Sequence, residues 1–424
     1  MVKKLQPVKK KILKGPRIHI LDVTNRDGVQ TSRLGLAKLQ KTMINLYLDK
    51  MGVYQSEMGF PFTNHEISYI NANLELKKIG AFKSLILSGW CRPVIKDIEK
   101  SLKLTNIKDM NISVSTSKQM LDSKFGGKYS KDDIIRMISE ATKYAKKSGV
   151  KTIGVNAEDA SRSDVDFLID FAIAAKEAGA DRFRYCDTLG YDDPFSIYER
   201  ISKIVASVKI GVELHCHNDL GMAVAVSIGG AKAAVDSGVD AYINTTVNGM
   251  GERAGNADLV STILAIKKAS GLKGKYAMDD NIDLKMAWKI SKYASYAFGV
   301  PIPINQPGVG DNAFAHESGI HVDGALKDSR NYELYHYKEL GRGEPEIIET
   351  GRQITVGEYS GIKGFGNVYG KMEIEFKNDE EATKILELVR YANVHTQKPL
   401  VEDELRFIAS YPEMAKQIMT VTPP

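Results

Sequence analysis

The histidines carry the first chemical signal. The chain has eight, and two of them form an H-x-H pair in the run Glu213-Leu-His-Cys-His-Asn-Asp219. The pair closes a strand-like stretch, and side chains two apart on a strand share a face. His215 and His217 can then reach one metal ion while Cys216 points the other way. Two histidines satisfied by hydrogen bonds in a core are the plainer alternative. The strand-end position, followed by Asn-Asp and a glycine, favours the metal. Such a site needs a further ligand, and Asp27 in Asp22-Val-Thr-Asn-Arg-Asp-Gly-Val-Gln30 supplies a carboxylate at the end of another strand-like run. Two nitrogens and a carboxylate with open positions suit a divalent ion that also binds substrate. Mn²⁺ or Mg²⁺ fits this donor set, as do Co²⁺ and Zn²⁺. Asn256, in Gly249-Met-Gly-Glu-Arg-Ala-Gly-Asn256, is a candidate fourth ligand or a group that supports the ligands. Arg26 would aim a fixed cation at an oxygen that gains negative charge. Its alternative is a surface salt bridge, which is worth little.

These residues need a scaffold that brings position 27 to positions 215 and 217. Short β-branched runs at 17–23, 54–60, 83–88, 110–115, 151–157, 182–186, 210–217 and 240–246 alternate with amphipathic stretches such as 35–51, 131–148, 163–178, 194–208 and 221–237. Strands alternating with helices imply a parallel sheet. Eight units in ~270 residues match a closed (β/α)₈ TIM barrel, in which function gathers at the C-terminal ends of the strands. In that ring only strand eight separates strands one and seven, so Asp27 meets the histidines across the mouth. A doubly wound open sheet is the second choice. The expected divisions are a basic tail at 1–16, a catalytic barrel at 17–275, a linker and lid at 276–345, and a C-terminal subdomain at 346–424. The region after the barrel reads as mainly helical, with patterns near 278–298, 379–391 and 401–410, and would serve as a lid and dimerisation region.

Composition narrows the class. A net charge of +5 is modest for 424 residues and does not suggest a nucleic-acid binder. The lysine-rich tail has no interleaved aromatic residue to stack on bases. Three scattered cysteines, Cys91, Cys186 and Cys216, form no C-x-x-C pair and suit a reducing cytoplasm. No apolar run approaches the ~18 residues of a membrane span.

Four motifs together resemble one family. Asp22-x-Thr-x-Arg-Asp-Gly-x-Gln30, His215-x-His-Asn-Asp-x-Gly221, Asn248-Gly-Met-Gly-Glu-Arg-Ala-Gly-Asn256 and His316-Glu-Ser-Gly-Ile-His-Val-Asp-Gly324 look like the isopropylmalate, homocitrate and citrate (Re)-synthases, the DRE-TIM metallolyases. With Tyr332 the resemblance spans about three-quarters of the chain. It implies a metal held by Asp27, His215 and His217, with Asn256 as a ligand in some members. It implies that Arg26 polarises a keto group, that Glu158 is a catalytic carboxylate, and that Gln30 and Thr188 touch substrate. Glu213 is read as a further substrate contact. His321 would take part in deprotonation, with Tyr332 nearby, on a lid that often reaches the neighbouring subunit's site. The implied reaction joins acetyl-CoA to a 2-oxo acid and hydrolyses the thioester, in a homodimer with exchanged lids.

The chain also departs from family patterns. Val29 replaces a glutamate, and Asn25 replaces a leucine or phenylalanine. Gly154 stands where lysine-pathway homocitrate synthases carry an arginine for the acceptor's distal carboxylate. Arg92 could replace that contact, or could be a helix-start arginine in solvent. The stretch 25–66 is most similar to citrate (Re)-synthases, which points to oxaloacetate as acceptor, with 2-oxoglutarate next and isopropylmalate- or citramalate-type acceptors after it. The sequence lacks the leucine-binding regulatory extension of some isopropylmalate synthases, so leucine feedback is not expected. An acyl-CoA lyase would carry a reactive cysteine in the loop 249–256, which has none. A biotin carboxyltransferase or a dinucleotide oxidoreductase finds no matching motif.

Overall fold

The computed structural model describes residues 15–346 and 352–421, so the expected basic tail lies almost wholly outside the described residues. Eight parallel strands close into a ring: β1 (Arg17–Asp22), β2 (Gln55–Glu57), β3 (Ile86–Cys91), β4 (Asp109–Ser115), β5 (Thr152–Glu158), β6 (Arg182–Asp187), β7 (Gly211–Cys216) and β8 (Ala241–Thr245). β1 pairs with β8 on one side and with β2 on the other, which closes the TIM barrel. All eight expected strands are present, with ends moved by a few residues.

A ninth strand was not foreseen. β9 (Ala277–Met278) pairs with the start of β1, at Arg17 and Ile18, while the three-residue β2 pairs only with the end of β1, at Leu21 and Asp22. β9 therefore fills the half of the seam that the short β2 leaves open. Two residues carry too little pattern to read as a strand.

The helices α1 (Lys38–Met51), α2 (Asn64–Lys78), α3 (Ile95–Leu104), α4 (Lys118–Asp122), α5 (Lys131–Lys147), α6 (Val165–Glu177), α7 (Pro194–Ser207), α8 (Ala223–Asp236) and α9 (Leu259–Lys268) follow the strands. Several begin on a side-chain cap that satisfies otherwise orphaned amide groups. Ser130 accepts from Asp133 N, Asp164 from Asp166 N, Asp193 from Phe195 N and Ser196 N, and Asp258 from Ser261 N.

Beyond the barrel, α10 (Ala287–Phe298) packs on α1. α11 (Gly319–Lys327) has no buried residue. α12 (Ile362–Lys371), α13 (Asp379–Thr396), α14 (Glu402–Ser410) and α15 (Pro412–Met419) fold back onto the barrel's outer layer. Tyr47 on α1 donates to Asp403 at 2.5 Å, and Tyr293 on α10 donates to Glu404 at 2.7 Å. The region is mainly helical, as expected. Residues 362–371 form α12 despite Gly364, Gly366 and Gly370, because buried Phe365 and Tyr369 supply the packing that outweighs glycine's low helix propensity.

The barrel interior is built on charge as well as on apolar packing. Asp27 meets Arg26 at 2.7 Å, Arg26 meets Glu57 at 3.5 Å, and Glu57 meets Arg184 at 3.1 Å. Arg184 meets Glu213 at 2.5 Å, and Glu213 meets Arg182 at 3.5 Å. All six are buried. Acid and base alternate along the run, so every buried charge has an opposite neighbour. Burial opposes ionisation of Glu213, yet Arg184 and Arg182 beside it hold its carboxyl below the usual range. Replacing Arg184 with methionine would leave the buried Glu57 with only Arg26 and the buried Glu213 with only Arg182, each 3.5 Å away. Thermal or urea denaturation should then show a loss of about 3–5 kcal/mol, and an unchanged midpoint would contradict this account.

Candidate metal and substrate site

The sequence positions its candidate residues through strand register. Cys186 on β6 pairs with His215 on β7, Ser115 on β4 pairs with Glu158 on β5, and Asp22 on β1 pairs with Thr245 on β8. Residues just past these pairs meet at the barrel mouth. His217 bridges to Asn256, which carries the loop after β8 over to β7.

Asp27, His215 and His217 bring one ligand atom each within 4.8 Å of one another, and all three are buried. The imidazole Nε2 atoms stand 3.9 and 3.8 Å from Asp27 Oδ2. That is too long for a hydrogen bond. It fits two bonds of about 2.1 Å to a shared ion. Burial holds His215 well below the ordinary histidine value and lowers His217. Burial opposes ionisation of Asp27, yet Arg26, the two imidazoles and the Asn256 amide together hold its carboxyl well below the usual carboxylate range. Two neutral imidazoles and one carboxylate are the protonation states that a divalent cation requires. Asn256 Nδ2 donates to Asp27 Oδ2 at 2.6 Å, and its Oδ1 is buried without a partner. Gly251 protects this contact. At φ +151° it passes so close that a Cβ there would lie 2.1 Å from Asn256 Nδ2.

A cavity of about 270 Å³ opens over these groups. Arg26, Asp27, Gln30, Glu158, Thr188, His215 and His217 all line it, together with Phe60, Trp90, Ser113, Asn156, Arg184, Cys186, Glu252 and Arg253. Phe60 and Trp90 meet edge-on at 5.4 Å and form an apolar wall. Glu158 receives Ser115 Oγ at 2.5 Å and Lys124 Nζ at 2.8 and 2.7 Å. Thr188 Oγ1 accepts from Asp159 N.

Two expected substrate contacts fall elsewhere. Glu213 does not line the cavity. It lies beneath the floor with no exposed surface, paired with Arg184 and Arg182 and accepting from Asn244. Arg92 is the helix-start arginine in solvent, with a 58% exposed side chain bound to Asp97 at 2.6 Å. It does not reach the cavity. His321 and Tyr332 lie on the arm around α11, their rings 4.4 Å apart, and neither lines the cavity of its own chain. Gly154 leaves no room for a side chain, because Asn111 Oδ1 would lie 1.8 Å from a Cβ.

Sequence reasoning missed Glu57, Arg184 and Lys124. A charge placed within a strand of a barrel interior was the available signal for the first two. All three cysteines are free and buried, and burial pushes the Cys91 thiol up to about 12 and raises Cys186 and Cys216 as well. None is a ready thiolate nucleophile.

Comparison with known proteins places the chain. Residues 17–293 match the HMGL-like family, and residues 309–396 match the homocitrate synthase post-HMGL domain-like family. The chain is 58% identical over 409 residues to the citrate (Re)-synthase of Dehalococcoides mccartyi (strain CBDB1), covering 96% of this chain and 99% of that one. It is 39% identical to 2-isopropylmalate synthase 2 of Caldanaerobacter subterraneus subsp. tengcongensis, covering 92% of this chain and 94% of that one. The solved HMG-CoA lyase of Bacillus subtilis shares the fold, with a TM-score of 0.56 at 17% identity over 69% of this chain and 97% of that one. The chain belongs to the HMGL-like family.

The site's electrostatics have a measurable signature. An unfolded histidine titrates near 6.5, whereas the folded imidazoles resist protonation. As pH falls through that value the unfolded chain binds more protons, so metal-free protein should lose stability. Thermal midpoints in a chelator should therefore drop between about pH 7 and pH 5, and a variant with His215→Gln and His217→Gln should drop less. Equal slopes for the two proteins would contradict neutral buried imidazoles.

Proposed function

We propose that this chain condenses acetyl-CoA with oxaloacetate and releases citrate and CoA, the reaction for which its Dehalococcoides relative is named. The end-to-end similarity to that relative carries the reading. The cavity supports it with a keto-acid site of suitable chemistry. Asp27, His215 and His217 would hold a divalent ion, Mn²⁺ or Mg²⁺ first, and Asn256 fits beside them once its amide is turned to present Oδ1. Such an ion supplies Lewis-acid polarisation of a carbonyl.

The chain's own residues do the rest. Arg26, buried and fixed by Asp27 and Glu57, aims a cation at the oxygen that becomes an alkoxide. Gln30 and Thr188 orient the acceptor at the rim. Glu158 faces the cavity and is assigned to proton transfer with His321, which removes a proton from the acetyl methyl group. Tyr332 packs against His321 with the rings tilted, and holds the ring.

His321 and Tyr332 must come from another copy, because neither lines the cavity of its own chain. The arm that carries them exposes Ile320, Leu326 and Leu334 by 76%, 82% and 73%. An apolar arm of this kind suits burial on a second subunit, and we assign a homodimer with exchanged lids. No described helix is long and apolar enough to cross a membrane, and we assign the enzyme to the cytoplasm, where its three unpaired cysteines stay reduced.

Free-thiol release from acetyl-CoA, with Mn²⁺ or Mg²⁺ and a chelator control, tests the reaction. Oxaloacetate should give chelator-sensitive release, while 2-oxoglutarate, 2-oxoisovalerate and pyruvate should give little. No release with any of them would overturn the proposal. Lid exchange has its own test. Asp27→Ala and His321→Ala should each be inactive alone, and refolding an equal mixture should restore about a quarter of wild-type activity, from heterodimers with one intact site. Silence in the mixture would place the catalytic histidine elsewhere.

A further inference from the structure

The cation that serves Glu158 differs from those serving the carboxylates beneath it. Asp27, Glu57 and Glu213 each take a buried arginine. Glu158 takes Lys124, a residue of the loop between β4 and α5, whose side chain is 48% exposed. Phe125 and Tyr129 pack edge-on at 5.5 Å within that loop, and Gly126 and Gly127 turn it at φ +60° and +67°. The lysine reaches Glu158 at the end of β5.

We propose that Lys124 is a positioning residue that fixes the Glu158 carboxylate for proton transfer. The inference rests on the role given to Glu158 above. Its basis is the distribution of donors. Each carboxylate oxygen offers about two lone pairs. Glu158 Oε2 accepts from Ser115 at 2.5 Å and from Lys124 at 2.7 Å, so its lone pairs are used. Oε1 accepts from Lys124 alone, at 2.8 Å, and keeps one lone pair for the cavity. Ser115 and Lys124 therefore act as a two-point clamp. Ser115 is carried by the rigid strand β4 and Lys124 by the loop, and both approach from the same strand–loop unit. The clamp selects Oε1 as the atom that exchanges a proton with substrate and prevents the carboxyl from swinging out of the mouth.

A partly exposed lysine–carboxylate pair contributes little to folding. Its removal should therefore spare the fold, which circular dichroism and the thermal midpoint would check. Steady-state kinetics of the intact enzyme with acetyl-CoA and oxaloacetate then test the role. Lys124→Gln should lower kcat by about tenfold or more. KM for both substrates should stay within about threefold of wild type. Lys124→Arg, which keeps the cation, should regain most of the lost rate. A double variant with Glu158→Gln should be no slower than Glu158→Gln alone, because both changes act through one carboxylate.

Wild-type kcat in Lys124→Gln would overturn the inference. A loss confined to the KM of acetyl-CoA would also overturn it, by making Lys124 a substrate anchor. So would additive losses in the double variant. Undiminished kcat in Glu158→Gln would remove Glu158 from the reaction, and Lys124 with it. Failure of the proposed reaction itself is seen separately, as a wild-type chain that does not turn over oxaloacetate.

Discussion

The structure depends on an alternating run of six buried charges, from Asp27 through Arg26, Glu57, Arg184 and Glu213 to Arg182. A barrel interior that holds only apolar side chains is simpler to pack. This one must present a carboxylate, two imidazoles and a guanidinium to a charged substrate, and it buries their counter-charges to do so. The alternation resolves the conflict. Each ion is neutralised locally, and the arrangement is rigid because moving one member leaves its neighbours uncompensated in a low-dielectric interior. Arg184 shows the division of labour. One end pairs with Glu57 and Glu213 while part of the side chain lines the cavity floor.

The rim is organised differently. Above the buried run, donors come from capped turns, glycine-rich loops and a half-exposed lysine. Gly251 and Gly154 mark where the backbone or a neighbouring amide takes space that a side chain would otherwise occupy. At Gly154 that neighbour is Asn111, so the barrel wall between β4 and β5 carries an amide there. The result is a rigid floor with an adjustable edge. That division suits a reaction in which one substrate must be held tightly while a second, larger one enters and leaves.

Much of this was legible in sequence. The alternation of strand and helix patterns repeats eight times, and periodicity of that kind survives errors at element ends. Asp27, His215 and His217 could be brought together on paper because a closed ring fixes which strand ends are neighbours. Position within the ring was harder to read where it depended on the third dimension. Glu213 and His215 share one face of β7, yet a one-layer difference in depth separates a cavity residue from a floor residue. Arg92 follows β3 closely in sequence, but its partner Asp97, one turn into α3, draws it outward.

The amino-acid sequence by itself determined the class of fold and the donor set of the candidate metal site, because both rest on local signals: period-two and period-3.6 patterns, and short motifs whose spacing maps directly onto a strand end. Only the tertiary structure decided which charges neutralise which, that β9 completes the seam beside β2, that Lys124 joins Ser115 in holding Glu158, and that His321 and Tyr332 stand away from their own cavity. The physical reason is common to all four. Each is a contact between segments far apart in the chain, set by depth, register and packing, and side-chain type alone does not encode the distance between two such segments.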